Sequence, residues 1–108
     1  MSVKSDIWIQ AYRRRCELNA MPCVIVRKGA PEAGTIYICI RVDDDNVWLM
    51  GPPAGPSLND DGDRMFEARF PTAVPQGEVD EYLARQAGYD PDIWVIEVED
   101  REGRAFLR

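Results

Sequence analysis

Carboxylates, arginines, tyrosines and thiols are the side chains that could do chemistry in this chain, because its 108 residues include no histidine. Histidine is the most frequent general acid or base and a common zinc ligand, so its absence excludes Ser-His-Asp and Cys-His catalysis and the usual zinc-hydrolase sites. The sequence therefore leaves enzymatic activity open and favours a non-enzymatic function. It predicts no cofactor, no catalytic residue and no bound metal.

Two acidic stretches invite a cation-binding hypothesis, because clustered carboxylate oxygens suit Ca²⁺ and Mg²⁺. They lie at residues 43–46 and 59–63. The second stretch fails the EF-hand spacing, since Gly62 precedes Asp63 and Ala68 stands where the loop needs a glutamate. Solvated turns are the simpler interpretation, because Asp and Asn side chains accept hydrogen bonds from neighbouring backbone amides.

Three consecutive arginines, Arg13, Arg14 and Arg15, could bind phosphate, since the guanidinium fork matches phosphate oxygens. Successive residues of a helix point about 100° apart, so the three cannot form one patch. The formal net charge of -6 also disfavours a polyanion, because affinity for nucleic acid depends on neutralising phosphates with Lys and Arg. Salt bridges to Glu17 or to the acidic loops are the simpler role, and nucleic acid is the least favoured partner.

The cysteines Cys16, Cys23 and Cys39 indicate the compartment. They are odd in number, lack a Cys-x-x-Cys spacing and lie in apolar patterns, which is typical of reduced, buried thiols. The N-terminal region has no apolar core of the signal-peptide type, and no run of about 18 apolar residues could span a membrane. These features predict a cytoplasmic protein with no membrane partner.

One predicted strand, residues 35–42, organises the other elements. Its isoleucines Ile36, Ile38 and Ile40 recur with a period of two, and the alternate positions are mixed in polarity. One face of this strand should therefore be buried and the other partly wet, as in an antiparallel sheet.

Hydrophobic periodicity places the remaining elements in the order αββββαββ. Helical patterns cover 5–19 and 77–87, the first beginning at Ser5 and the second ending at Gly88. Strand patterns cover 23–28, 35–42, 47–50, 64–70, 93–99 and 104–107. Because the strands occur in runs, residues 1–108 are predicted to form a single α+β domain, a mainly antiparallel sheet of five to six strands with two helices on one face.

The sheet face opposite the helices is the predicted interaction surface. If the isoleucines point to the helices, the other face carries aromatic, methionine and charged side chains, a composition enriched in interfaces. The predicted ligand- or partner-binding residues are Tyr37, Arg41, Trp48, Met50, Glu67 and Arg69. The first hypothesis is thus a module that binds an unknown protein partner or forms a homodimer through a sheet face or edge. A simpler role for Trp48 is packing beneath the Pro-rich loop.

The Pro- and Gly-rich segment 51–63 supports an alternative function. Prolines remove backbone donors and glycines add freedom, so this segment cannot form regular structure, and loops of such length are often functional. It could close as a lid over Arg41, Glu67 and Arg69 in a small-ligand-binding protein or an enzyme. A deep pocket beneath the loop, with an arginine and a carboxylate converging, would favour this alternative.

Three stretches together resemble a known family. They are residues 6–14 of the first helix, Gly51-Pro52-Pro53 with Gly55-Pro56, and Asp90-Pro91-Asp92-Ile93-Trp94-Val95-Ile96-Glu97-Val98-Glu99-Asp100-Arg101-Glu102-Gly103-Arg104. The chain is similar over nearly its whole length to Domain of Unknown Function 1491, a family of small uncharacterised bacterial proteins. The resemblance implies a stand-alone, single-domain bacterial protein and carries over no activity, cofactor or catalytic residue.

Overall fold

This computed structural model describes residues 3–56, 58 and 63–107. Two helices and five strands lie within them. In chain order the elements are α1 (Ser5–Leu18), β1 (Cys23–Arg27), β2 (Ile36–Arg41), β3 (Val47–Gly51), β4 (Glu67–Ala68), α2 (Gln76–Tyr89) and β5 (Trp94–Glu99). The predicted α+β class is confirmed. Each helix has 14 residues, and neither is long and apolar enough to cross a membrane.

The five strands form one mixed sheet in the order β1-β5-β2-β3-β4. Three of the four pairings are antiparallel, whereas β2 and β5 run parallel, with Ile36 aligned to Trp94 and Ile40 to Val98. The strand β5 therefore lies between β1 and β2, which are neighbours in the sequence. This interior position buries β5 on both faces, as the continuous apolar run from Ile93 to Ile96 requires.

The two helices cover opposite faces of the sheet, so the prediction that both lie on one face is wrong. Helix α1 packs Ile9, Tyr12 and Cys16 on the face that carries Ile36, Ile38 and Ile40, as predicted for the isoleucines. Helix α2 packs Val79 on the other face, against Tyr37 and Cys39. Consecutive strand residues point to opposite faces, and all of β2 from Ile36 to Ile40 is buried. The mixed polarity of β2 reflects two different cores rather than one wet face.

The loop between β1 and β2 joins α1 to the start of β5. The Ser5 hydroxyl donates a hydrogen bond to the Gly34 carbonyl at 2.6 Å, and the Trp94 indole N–H donates one to the Ala30 carbonyl at 2.7 Å. Gly29 packs so closely that a Cβ atom there would lie 2.2 Å from the carbonyl oxygen of Asp92. The residue type at position 29 is thus dictated by contact with a neighbouring backbone.

The chain after β5 forms a turn instead of the predicted strand 104–107. The Asp100 carboxylate accepts hydrogen bonds from the backbone amides of Glu102, Arg104 and Ala105, and Ala105 and Phe106 both have positive φ. Left-handed residues cannot continue an extended strand.

The bounds of other predicted elements also move, most of them by one or two residues. The strand predicted at 64–70 is regular only at Glu67–Ala68, and α2 begins at Gln76 and continues through Gly88 to Tyr89. Helix α1 ends at Leu18, one residue before its predicted end.

Candidate functional site

The six predicted partner-binding residues divide between the two faces of the sheet. Trp48 lies opposite Ile40, and Met50 lies opposite Ile38, so both point to the α1 side, where they are partly buried against the core. The prediction that they share a face with Tyr37 and Arg41 is wrong, because it is one residue out of register. The Trp48 ring also contacts the C-terminal turn, because a Cβ atom on Gly103 would lie 3.0 Å from it.

Tyr37, Glu67 and Arg69 come together on the α2 side around Gly51. A Cβ atom on Gly51 would lie 2.7 Å from the Tyr37 ring and 3.4 Å from the Arg69 side chain, so this space is filled. Glu67 is the strand partner of Gly51 and accepts a hydrogen bond of 3.0 Å from Arg69. Tyr37 is only 6% exposed, because α2 covers it and the Tyr82 ring meets it edge to face, and burial raises its pKa. The space between Gly51, Tyr37 and Arg69 is therefore filled, whereas Glu67 is exposed.

Arg41 lies at the other end of β2 and does not join Glu67 and Arg69. Its guanidinium donates hydrogen bonds to the Gln76 side chain and, at 3.2 Å, to the Asp44 carbonyl, and its Nε lies 3.9 Å from Glu97 Oε1. These contacts connect β2 to the start of α2 and to β5.

The predicted lid 51–63 falls partly outside the described residues, at positions 57 and 59–62.

The acidic turn at 43–46 is organised by its own backbone. The Asp43 carboxylate accepts hydrogen bonds of 2.8 Å from the amides of Asp45 and Asn46, and these bonds lower the pKa of Asp43. Within ranges 3–56 and 63–107 and at residue 58, no group of three acidic or thiol side chains could hold a metal ion. Most of the second acidic stretch, 59–62, lies outside those residues.

All three cysteines are free thiols. Cys16 and Cys39 are buried, and Cys23 is partly buried at the start of β1. Burial raises the pKa of Cys39 to about 12 and that of Cys23 to about 11, so neither forms a thiolate at neutral pH. Thiolate chemistry therefore has no support here.

The outer edge of β1 is a candidate surface that no pattern in the sequence indicates. Val24 and Val26 are 59% and 60% exposed, although both belong to a strand. In the part of the chain that is described, Val24, Ile25 and Val26 make no backbone hydrogen bond outside the ladder with β5. A β-bulge between Ile25 and Arg27 ends the regular part of this edge. The strand therefore presents unpaired backbone groups beside two exposed apolar side chains.

A groove of about 690 Å³ runs between α1 and the beginning of β1. Half-buried Met21 and Cys23 lie at its β1 side. The residues that α1 contributes to its wall are Ile7, Gln10, Ala11, Arg13, Arg14 and Glu17. The groove is thus continuous with the edge of β1 on the α1 side of the sheet.

The groove is locally basic in an acidic protein. Arg13 and Arg14 line it and form no salt bridge with any residue that the structure describes, and Glu17 is the one acidic side chain in its lining. Arg15 instead borders a different cavity, with Trp8 and Phe106. The prediction that the three arginines do not form one patch is consistent with this separation, yet two of them share a wall.

The fold defines a small α+β domain in which a mixed five-stranded sheet lies between two helices. The edge of this sheet formed by β1 is open. The chain belongs to the DUF1491 family of proteins of unknown function, whose model matches residues 3–108. The predicted resemblance is confirmed.

Solved structures of family members have the same fold. A DUF1491 protein from Caulobacter crescentus, solved by crystallography, is 31% identical, with a TM-score of 0.80 over 99% of this chain and 94% of that one. A protein from A. tumefaciens, solved in solution, is also 31% identical, with a TM-score of 0.82 over 99% and 93%. An NMR structure of a Caulobacter crescentus DUF1491 protein is 35% identical, with a TM-score of 0.75 over 99% and 94%. No curated protein matches the chain.

Proposed function

We propose that this protein is a non-enzymatic interaction module that binds another protein chain along the outer edge of β1. The observation that carries the proposal is the pair of exposed valines, Val24 and Val26, on an edge strand. Its outer backbone groups pair with none of the residues that the structure describes. Such an edge is a template for a further strand. Main-chain hydrogen bonds would supply affinity, and burial of the valines would add to it.

The other exposed edge is a poorer template. Strand β4 at the opposite side of the sheet consists only of Glu67 and Ala68, and very short edge strands are one means of discouraging edge pairing. The five-residue β1 offers more backbone and more apolar surface. Burying a valine fully is worth roughly 1.5–3 kcal/mol, so covering both would give a partner a substantial gain.

The bulge near Val26 limits how long an added strand can be. A bulge bends and twists its strand, so the flat part of the edge runs from Cys23 to Ile25. A partner would therefore pair over a short stretch and need further contacts outside the ladder. This predicts a transient partner rather than an obligate one, because small interfaces are typical of transient complexes.

A cytoplasmic, bacterial setting belongs to the same proposal. Three free thiols in one small chain are typical of a reducing compartment. The solved relatives named above come from Caulobacter crescentus and A. tumefaciens, which supports a bacterial source.

Site-specific crosslinking in cells tests the proposal. A photo-crosslinking residue at Val24 should give one dominant adduct, identified by mass spectrometry as a specific protein or as a second copy of the chain. The matched control is Met65, which is also exposed and apolar at 42% but lies just before β4, at the far edge of the sheet. Adding Val26→Lys should abolish the adduct at position 24. Equal adducts at both positions, or none at 24, would contradict a docking role for β1.

A further inference from the structure

We infer that the segment which docks on β1 is an extended acidic peptide whose carboxylates face Arg13 and Arg14, while apolar side chains on its other side cover Val24 and Val26. This inference rests on the proposed function and specifies the chemistry of the partner. It is carried by the position, beside an open sheet edge, of two arginines that form no salt bridge with any described residue.

The extended form follows from where the groove lies. A strand added to β1 would run about 4.8 Å outside it, and its side chains would alternate between the two faces of the sheet. One set would point to the α1 side and enter the groove beside Cys23, beneath the wall that carries Arg13 and Arg14. A helix could not supply the backbone ladder, because its own backbone groups are already paired within it.

The acidic character follows from the charges along that wall. Arg13 and Arg14 have no partner among residues 3–56, 58 and 63–107, and Glu17 alone opposes them in the lining. Arg13 lies near enough to the edge that its positive charge lowers the pKa of Cys23, although burial dominates and raises it. Carboxylates on the groove side of a docked strand would meet guanidinium groups whose fork geometry suits them.

The apolar character of the opposite side follows from the alternation of β1. Val24 is paired with Glu97, which shares a sheet face with Cys39, and that face is the one covered by α2 elsewhere. A docked strand would place every second side chain on this same face, next to Val24 and Val26. The segment that fits is therefore one in which acidic and apolar residues alternate.

A second copy of the chain fits this edge less well than an acidic segment. Antiparallel pairing of two β1 strands about a two-fold axis would put both α1 helices on the same side of the combined sheet. The Arg13 and Arg14 side chains of the two copies would then approach each other across the seam, and juxtaposed like charges oppose association. In addition, β1 itself offers Cys23 and Ile25 to the groove side, neither of which is acidic.

A peptide titration tests the inference. The probes are three synthetic peptides of about six residues: one alternating glutamate and valine, one alternating lysine and valine, and one with the same glutamates and valines in two blocks. We expect the first to shift the backbone amide NMR signals of β1 and to bind about tenfold more tightly than the other two. Its affinity should fall as salt increases, because the arginines lie at the surface.

Charge-reversal variants separate the acidic preference from the edge itself. The double variant Arg13→Glu with Arg14→Glu should lose the affinity for the glutamate peptide, whereas Arg15→Glu, on the other side of the helix, should keep it. Equal β1 shifts with the lysine peptide, or with the blocked peptide, would overturn the inference and leave edge docking standing. If no peptide shifted the signals of β1 and Val26→Lys left the crosslinked adduct at position 24 unchanged, both the inference and the proposed function would fail. Dimerisation in sedimentation velocity that Val24→Lys abolishes would replace the acidic peptide by a second copy.

Discussion

The hydroxyl of Tyr12 in α1 donates a hydrogen bond to the carbonyl oxygen of Ala105, 2.8 Å away, and so fastens the C-terminal turn to the first helix. Both residues are buried, Tyr12 at 5% and Ala105 at 0% exposure. The contact matters because Ala105 and Phe106 have positive φ, a conformation that a residue with a side chain adopts only at a cost. The same burial raises the pKa of Tyr12, which therefore stays protonated and able to donate.

Tyr12→Phe should lower the free energy of unfolding by about 1–3 kcal/mol, because it leaves a buried carbonyl without its partner. Tyr89→Phe removes the same hydroxyl from a side chain that is 79% exposed, and it should leave stability unchanged. Urea unfolding followed by tryptophan fluorescence measures both. Equal effects of the two substitutions would show that the Ala105 contact contributes nothing.

Trp94→Ala should be the most damaging substitution in the interior strand β5. The indole is 3% exposed in the α1-side core and donates a hydrogen bond to Ala30, so its removal opens a cavity and frees the loop before β2. Substitutions of this type cost about 3–5 kcal/mol, a large part of the roughly 5–15 kcal/mol by which small domains are stable. Calorimetry of the variant should show a strongly lowered Tm or no cooperative transition. A near-normal Tm would refute the core assignment.

Gly29→Ala and Gly77→Ala should change stability in opposite directions. A Cβ atom at position 29 meets the backbone of Asp92 and Ile93 at 2.2–2.7 Å, which cannot move aside as a flexible side chain would. We expect a loss of about 1–3 kcal/mol or more. Position 77 lies in the first turn of α2, and a Cβ atom there would meet no neighbouring atom within 4 Å. Alanine should therefore raise the free energy of unfolding by up to about 1 kcal/mol through its higher helix propensity. Chemical denaturation of the pair checks this, and a neutral Gly29→Ala would show that the loop is not tightly held.

The free energy of unfolding should fall at acidic pH partly because Asp100 becomes protonated. Hydrogen bonds from the amides of Ala105, Glu102 and Arg104 lower the pKa of this carboxyl below 3.8 in the folded state. A group with a depressed folded pKa stabilises the protein above its unfolded pKa, and that stabilisation is lost as the pH falls through the folded value. The stability of the native chain should therefore decline below about pH 4 more steeply than that of Asp100→Asn. Unfolding free energies measured between neutral pH and pH 2.5 test this, and parallel curves for the two proteins would contradict it.

Local patterns were sufficient for the class, the two helices and the position of β2, since amphipathic periodicity is a property of short segments. They were not sufficient to predict which face of the sheet each side chain and each helix occupies. Trp48 lies opposite Ile40, and a pairing one residue out of register moves a side chain to the other side of the sheet. The apolar run Ile93 to Ile96 did carry the signal that both faces are covered. No local pattern indicates that β1 is an edge strand, because its position depends on pairing with β5. Sixty-six residues separate the end of β1 from the start of β5.

The position of β5 between β1 and β2 has a consequence for biosynthesis. A nascent chain that has released α1 through α2 from the ribosome still lacks the strand that joins β1 to the rest. Strand β1 and one edge of β2 therefore stay unpaired until residues 94–99 emerge. Closure of the sheet is then a late, long-range event, and such events are slow compared with the formation of helices or hairpins. Until it occurs, exposed strand edges should make the incomplete chain more prone to aggregation than the folded protein.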